Sequence, residues 1–355
     1  MNTKILLSFC LAILLIYPVS GQDDTLSDTP APVKFAKNFG LFEEGEPVEI
    51  TLRFDMSTYL RTKPKEDYLK ARMIFHFDKK DSLARNIKLR TRGEYRNTNC
   101  VFAPIELNFK KVDFGYKDLN KIDKIKLVAQ CDTRKDYEDY LLREYLTYKL
   151  LNVMTDTSFR VRLLVINYID TVKKRKPVRQ YGFFIEPADI LAARLNLVQT
   201  KQALNQKHIS ERIMDKLAIF NFMIGNYDWG IPGEHNVKIF RPGTFSANNK
   251  PIAIPYDFDW TGIVNPSYGI PADNVGITNI RQRIFAGICR SREVYTRDLE
   301  EFSRKKEELY RVINEFPYLS QSSKKDMIAY IEGFYDLFQG RNNIVDIFLR
   351  NCKKL

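Results

Sequence analysis

The periodicity of this sequence changes once, near position 187, and that change limits the possible folds most tightly. Before it, "EPVEITLRFD", "ARMIFHFD", "NIKLRTRGEY", "APIELNFKK", "KIKLVAQ", "FRVRLLVINYID" and "RQYGFFIEP" carry β-branched or aromatic residues at period two. One segment among them, "DYEDYLLREYLTYKLLNVM", spaces its apolar residues by three and four and reads as a helix. After Pro187, "ADILAARLNLVQ", "SERIMDKLAIFNFMIG", "DLEEFSRKKEELYRVINEF", "SKKDMIAYIEGFYDLFQG" and "NNIVDIFLRN" read as amphipathic helices. This pattern predicts a bilobal α+β chain, strand-rich over 37–186 and mainly helical over 187–355. The crossing between lobes falls near Glu186–Ala188.

The first residues read as an export signal. "MNTKILLSFCLAILLIYPVSGQ" has Lys4, an apolar run and then small residues at Ser20 and Gly21. The run is too short to span a bilayer comfortably, so a cleaved signal over 1–21 is preferred to an anchor. Cys10 follows Phe9, where a lipoprotein needs a small residue, so it belongs to the signal. Residues 22–36 are polar and Pro-containing and read as a flexible leader. The expected location is periplasmic, cell-surface or extracellular, with no transmembrane segment after signal removal. Four cysteines remain, and two disulfides are open to them in an oxidising compartment. The most local pairing joins Cys100 to Cys131 and Cys289 to Cys352; two other pairings and free thiols stay open. No CxxC spacing points to zinc.

The net charge is +12, which suits polyanions, acidic partners or phosphate. The cations are spread along the chain, and the one dense run, "VKKRKPVR" from Val172 to Arg179, reads as a solvated hairpin cap. No nucleic-acid-binding motif accompanies it, so no nucleic-acid partner is expected.

One hairpin interrupts the helical half. "NVKIF" and "KPIAIPYDFD" flank a loop, "RPGTFSANN", rich in turn residues. In an antiparallel pair the start of one strand lies beside the end of the other, which brings Asn236 near Asp257. Upstream, "IGNYDWGIPGEHN" is a glycine-rich loop bearing Asp228. The chain's two tryptophans, Trp229 and Trp260, lie next to these acidic sites. Asp228, Asn236, Asp257 and Asp259 are hard oxygen groups that suit Mg²⁺ completed by phosphate oxygens. A spare carboxylate can take a proton from an attacking hydroxyl. The order Asp, Asn, then Asp beyond a hairpin matches the logic of phosphoryl transfer. The eight residues from Asp228 to Asn236 exceed the usual protein-kinase spacing, and "GIPG" supplies the extra length.

Between Lys88 and Asn265 the chain resembles the atypical kinases of the spore-coat protein H (CotH) family and, more loosely, the HipA-like kinases. "LRTRGEYR", "APIELNFKK", "YLLREYLTYKLL", "QYGFFIEP", "GNYD" and "YD" occur in that family's order. The resemblance implies an ATP-dependent kinase with an atypical protein-kinase-like fold, acting on a hydroxyl acceptor that is expected to be a protein. It implies Asp228 as catalytic base, with Asn236 and Asp257 as ligands of Mg²⁺, for which Mn²⁺ would substitute. Asp259 stands where kinases often have Gly, and is expected as a further ligand. Lys110 is the expected α,β-phosphate contact, ion-paired with Glu144, and Arg90 and Arg92 are alternative phosphate contacts. No GxGxxG loop covers the phosphates.

Two other readings compete. "IAIPYDFDWTGIV" also fits DxDxT, the phosphatase motif of haloacid-dehalogenase-type enzymes, with Asp257 as nucleophile, Asp259 as general acid and Thr261 on phosphate. That motif normally opens a doubly wound sheet, and Pro255 is awkward in a central strand. The other is a kinase-like scaffold without catalysis. Oligomeric state is not legible in the sequence.

Overall fold

The computed structural model describes residues 37–77, 81–244, 249–271, 276–339 and 343–354. The expected signal and leader, 1–36, lie outside the described residues, all of which belong to one unit, Phe35–Leu355. No helix among them is long and apolar enough to cross a membrane.

All seven period-two segments before Pro187 form strands: β1 Val48–Phe54, β2 Leu69–His76, β3 Ser82–Thr91, β4 Ile105–Asn108, β5 Lys124–Ala129, β6 Val161–Asp170 and β7 Val178–Ile185. They close into a barrel in the order β1-β2-β3-β4-β5-β7-β6, with β6 returning parallel to β1. Alternate residues such as Ile50, Leu52, Met73, Phe75, Leu89 and Leu107 are buried in its core. The run "VKKRKPVR" starts in the β6–β7 connection, as expected. There the Asp170 carboxylate accepts from the backbone N–H groups of Lys174 at 2.9 Å and Arg175 at 3.0 Å.

Three helices, not one, lie among these strands: α1 Met56–Thr62, α2 Tyr95–Asn99 and α3 Lys135–Met154. "NIKLRTRGEY" therefore splits, its strand ending at Thr91 and its last residue opening α2. Helix α3 is buried on almost every side, Arg143, Glu144 and Thr147 included, so it behaves as a core helix rather than an amphipathic one.

The second half holds α4 Ala188–Arg194, α5 Glu211–Ile224, α6 Arg292–Glu315, α7 Gln321–Tyr335 and α8 Ile344–Asn351. Its three-stranded sheet runs in the order β10-β9-β8, from β8 Leu197–Gln199, β9 Val237–Pro242 and β10 Ile252–Pro255. Here the helix expected over "ADILAARLNLVQ" is corrected. Asn196 takes a left-handed φ of 51°, which ends α4 and releases Leu197–Gln199 to pair with β9.

Two buried clusters result, one inside the barrel and one among α3 and the later helices. Strands β6 and β7 divide them: Leu164 and Phe184 face the barrel, whereas Leu163 and Phe183 face the helices. This double burial explains their nearly continuous apolar runs. Disulfides join Cys100 to Cys131 and Cys289 to Cys352, the local pairing. The first ties the end of α2 to the chain just after β5.

Candidate functional site

The hairpin register governs the site. Pro255 pairs with Val237, and the Tyr256 N–H donates to the Asn236 carbonyl at 2.9 Å. Asn236 and Asp257 thus leave the hairpin's open end side by side, both with left-handed backbone, φ 49° and 67°. Asn and Asp are the residue types that tolerate this conformation.

Helix α5 delivers the other acidic loop. It stops at Gly225, whose φ of 66° and whose approach to the Tyr330 hydroxyl, 2.1 Å from where a Cβ would sit, require glycine. The loop then runs against the chain beyond Asp259, with Gly262 N–H donating to the Gly225 carbonyl at 3.0 Å and Ile263 N–H to that of Ile224 at 3.1 Å. The extra residues between Asp228 and Asn236 fold out as a short turn, Pro232–Glu234, closed by a 2.9 Å bond from Gly230 N–H to the His235 carbonyl.

Asp228, Asn236, Asp257 and Asp259 consequently line one cavity of about 380 Å³, together with Glu144, Arg92, Arg96, His235, Tyr256 and Trp260. The Asn236 amide donates to the Asp228 carbonyl at 2.8 Å and to its Oδ2 at 2.9 Å. Both of those partners are acceptors, so the NH₂ faces them and the amide oxygen of Asn236 is left for another partner. His235 Nε2 lies 2.6 Å from Asp228 Oδ1. Tyr148, one turn beyond Glu144 on α3, accepts the Asp257 N–H at 2.7 Å.

Arg96 is the cation ion-paired with the inner acids among the described residues, and the Arg92 charge also acts on Glu144. Arg96 of α2 lies 3.3 Å from Glu144 and 3.8 Å from Asp259, and its second terminal nitrogen donates to the Ala129 carbonyl at 3.1 Å. Burial raises Asp259 well above the usual carboxylate range, and the neighbouring Asp257 charge adds to this while Arg96 opposes it. Burial also raises Glu144, again against the pull of Arg96. The cluster is richer in carboxylate than its guanidinium can balance.

The structure disperses the expected phosphate contacts. Arg92 lines the cavity, and its guanidinium makes no hydrogen bond or ion pair among the described residues. Arg90 lies outside it, 2.9 Å from Glu106 and stacked over Tyr68. Lys110 lines a different hollow; β4 ends at Asn108, so the lysine sits in the following turn and is exposed. The expected Lys110–Glu144 pair is therefore corrected to Arg96–Glu144.

Lys126 is a lysine close to the cleft that the sequence did not single out. It lies on β5, immediately before the helix bearing Glu144, with its Nζ 4.4 Å from the centre of the Tyr256 ring. Burial, reinforced by the Arg92 charge and opposed by Asp257, pulls its pKa down to about 7. Its place next to the buried run "LVA" was a usable signal. It lines a second cavity, of about 280 Å³, that shares Ile185 and Tyr256 with the first and is bordered by Pro187 and Ala188.

Among the described residues, no three or more His, Cys, Asp or Glu side chains form a group that could hold a metal ion by themselves. The donors present, two or three carboxylates and one amide oxygen, fit an ion that takes few protein ligands and completes its shell from phosphate. Strand β10 lies at the edge of an antiparallel sheet, not at the start of the parallel sheet that the DxDxT reading requires.

No family model matches this sequence, and no curated protein matches it. Among solved structures, the chain is similar to a Helicobacter pylori proinflammatory kinase, CtkA, at 10% identity and a TM-score of 0.38, over 74% of this chain and 93% of that one. A likeness of that size does not extend to side chains.

Proposed function

We propose that this chain is an exported, CotH-like atypical kinase with a bilobal fold, transferring the γ-phosphoryl group of ATP to a hydroxyl acceptor, a protein by preference. The observation that carries this reading is the convergence of Asp228, Asn236, Asp257 and Asp259 on one cavity, beside a second cavity edged by Lys126. The nucleotide base occupies the second cavity against Pro187 and Ala188. Its phosphates reach past Tyr256 toward Arg92 and Lys126.

Asp228 acts as general base, its carboxylate oriented by Asn236 and His235. The acceptor oxygen bonds to the γ-phosphorus as the bond to the bridging oxygen breaks. That bond's electron pair leaves on ADP, and the hydroxyl proton passes to Asp228. Asn236 and Asp257, with Asp259 behind them, would hold Mg²⁺ or Mn²⁺, which when bound offsets the phosphate charge. Arg96 keeps Glu144 and Asp259 from repelling one another. The Tyr148 hydroxyl fixes the Asp257 backbone.

The test is incubation with γ-labelled ATP and Mg²⁺ or Mn²⁺. Wild type is expected to label itself or a generic acceptor, whereas Asp228→Ala and Asp257→Ala are not. Equal labelling by Asp257→Ala would sink the metal assignment. The absence of any nucleotide-induced thermal shift with either metal would favour the non-catalytic scaffold.

A further inference from the structure

A second charged hollow lies on the outer face of the barrel and shares no residue with the acidic cavity. It measures about 940 Å³ and is lined by six cations: Arg53, Lys70, Arg72, Lys88, Lys110 and Lys111. Among the described residues, no acidic or aromatic one lines it; its other polar groups there are Asn86, Asn108 and Thr171.

The barrel register produces this concentration. Arg53 of β1 stands directly opposite Arg72 of β2, and Lys70 of β2 opposite Lys88 of β3. Like charges placed opposite one another on a sheet destabilise it. Here two such pairs lie side by side, and Lys110 and Lys111 close one end from the turn after β4. All six are exposed, and none forms an ion pair among the described residues. Neighbouring cations on the same barrel are paired, Arg90 with Glu106 at 2.9 Å and Arg179 with Glu49 at 2.8 Å. Repulsive facing pairs without acids, gathered in a hollow, are the electrostatic imprint of an anion.

The geometry narrows the anion's class. Facing residues on a sheet stand about 5 Å apart and alternate residues about 7 Å. A ligand with several oxyanion groups at that spacing engages the cations together, and Arg forks and Lys points both suit phosphate. Discrete ligands occupy pockets of about 300–1,000 Å³. The missing aromatic lining leaves no platform on which nucleic-acid bases could stack. A closed barrel also has no free edge to which a peptide strand could add.

We propose that this hollow binds a compact ligand carrying several phosphate groups, held by charge on the β1–β2–β3 face. This site stands independently of the phosphoryl-transfer reading. The test is isothermal titration of the protein with myo-inositol hexakisphosphate as probe. One molecule per chain is expected, with affinity falling about tenfold or more as salt rises from about 50 to 200 mM. The double variant Arg72→Glu/Lys88→Glu should bind at least about tenfold more weakly. The carboxylates so introduced would face Arg53 and Lys70, so the variant's thermal midpoint should stay level or rise, which separates lost binding from lost folding. If that variant does not fold, Arg72→Gln/Lys88→Gln should still weaken binding about threefold to tenfold. Unchanged binding in either variant overturns the proposal. So does tighter binding of a single-stranded oligonucleotide or a heparin fragment than of the hexakisphosphate, which would assign the face to a polymer.

Discussion

The acidic cleft and the cationic barrel face are opposites built by one chain. In the cleft, Glu144 and Asp259 are buried around one arginine, and the excess charge is relieved by raised proton affinity. On the barrel face, six cations stand in solvent with no acid among them in the described residues. Water screens the second arrangement cheaply, while the first depends mainly on the Arg96 guanidinium. A net charge of +12 therefore describes neither region. As a whole-chain total it averages over an acid-rich cleft and a cation-rich barrel face.

Substitutions test that contrast directly. The largest effect is expected for Arg96→Met, which removes the cation paired with a buried acidic cluster and should cost about 3–5 kcal/mol in chemical denaturation. Arg72→Met, one cation of six in solvent, should stay within about 0.5 kcal/mol of wild type. If the two cost the same, burial is not what distinguishes the regions.

Next comes Asp257→Ala, expected to reduce phosphoryl transfer about 10²–10³-fold or more in the labelled-ATP assay. Asp259→Ala should be milder, because the hydrogen-bonding and backbone anchors converge on Asp257 and its hairpin partner. A larger loss for Asp259→Ala would reverse the ranking of the two acids.

Lys126→Met should separate function from stability, lowering transfer while stabilising the fold by about 1–2 kcal/mol at pH 7. Folding pulls the Lys126 pKa down from its ordinary 10.5 to about 7. Between those values the unfolded chain binds the proton and the folded chain does not, so stability contributed here rises with pH from about 7 to 10.5. The variant's stability–pH curve should be flatter in that window, and an unchanged slope would mean that Lys126 is not desolvated. The smallest effect is expected for Arg179→Gln, whose partners Glu49 and Asn167 line neither cavity nor the cationic hollow; it should leave nucleotide-induced thermal shifts unchanged.

Local and register-bound features were legible in the sequence. Seven strands were readable from period two, and the antiparallel hairpin placed Asn236 beside Asp257 because its two strands adjoin in sequence. The Asp228 loop was readable from its glycines. What escaped were contacts across long separations with no periodic signature. Arg96 meets Glu144 across 48 positions, and the Tyr148 hydroxyl meets the Asp257 N–H across 109. Lys126 escaped because a lysine in an alternating strand reads as solvent-facing. Lys110 misled for the converse reason: its strand ends two residues before it. The cationic face escaped for a third reason, since positions 53, 70, 72, 88, 110 and 111 look dispersed until the barrel closes.

The two tryptophans see these regions differently. Trp260 lies on the wall of the acidic cleft, its ring edge-on to Tyr95 at 4.9 Å, whereas Trp229 is buried. The chain thus holds a built-in optical gauge, one indole sampling the cleft and the other serving as an internal reference. Phosphates reaching the cleft that Trp260 walls should quench or shift only part of the intrinsic fluorescence. Occupancy of the barrel face should leave the emission untouched, so the two sites can be titrated apart in one cuvette without a label.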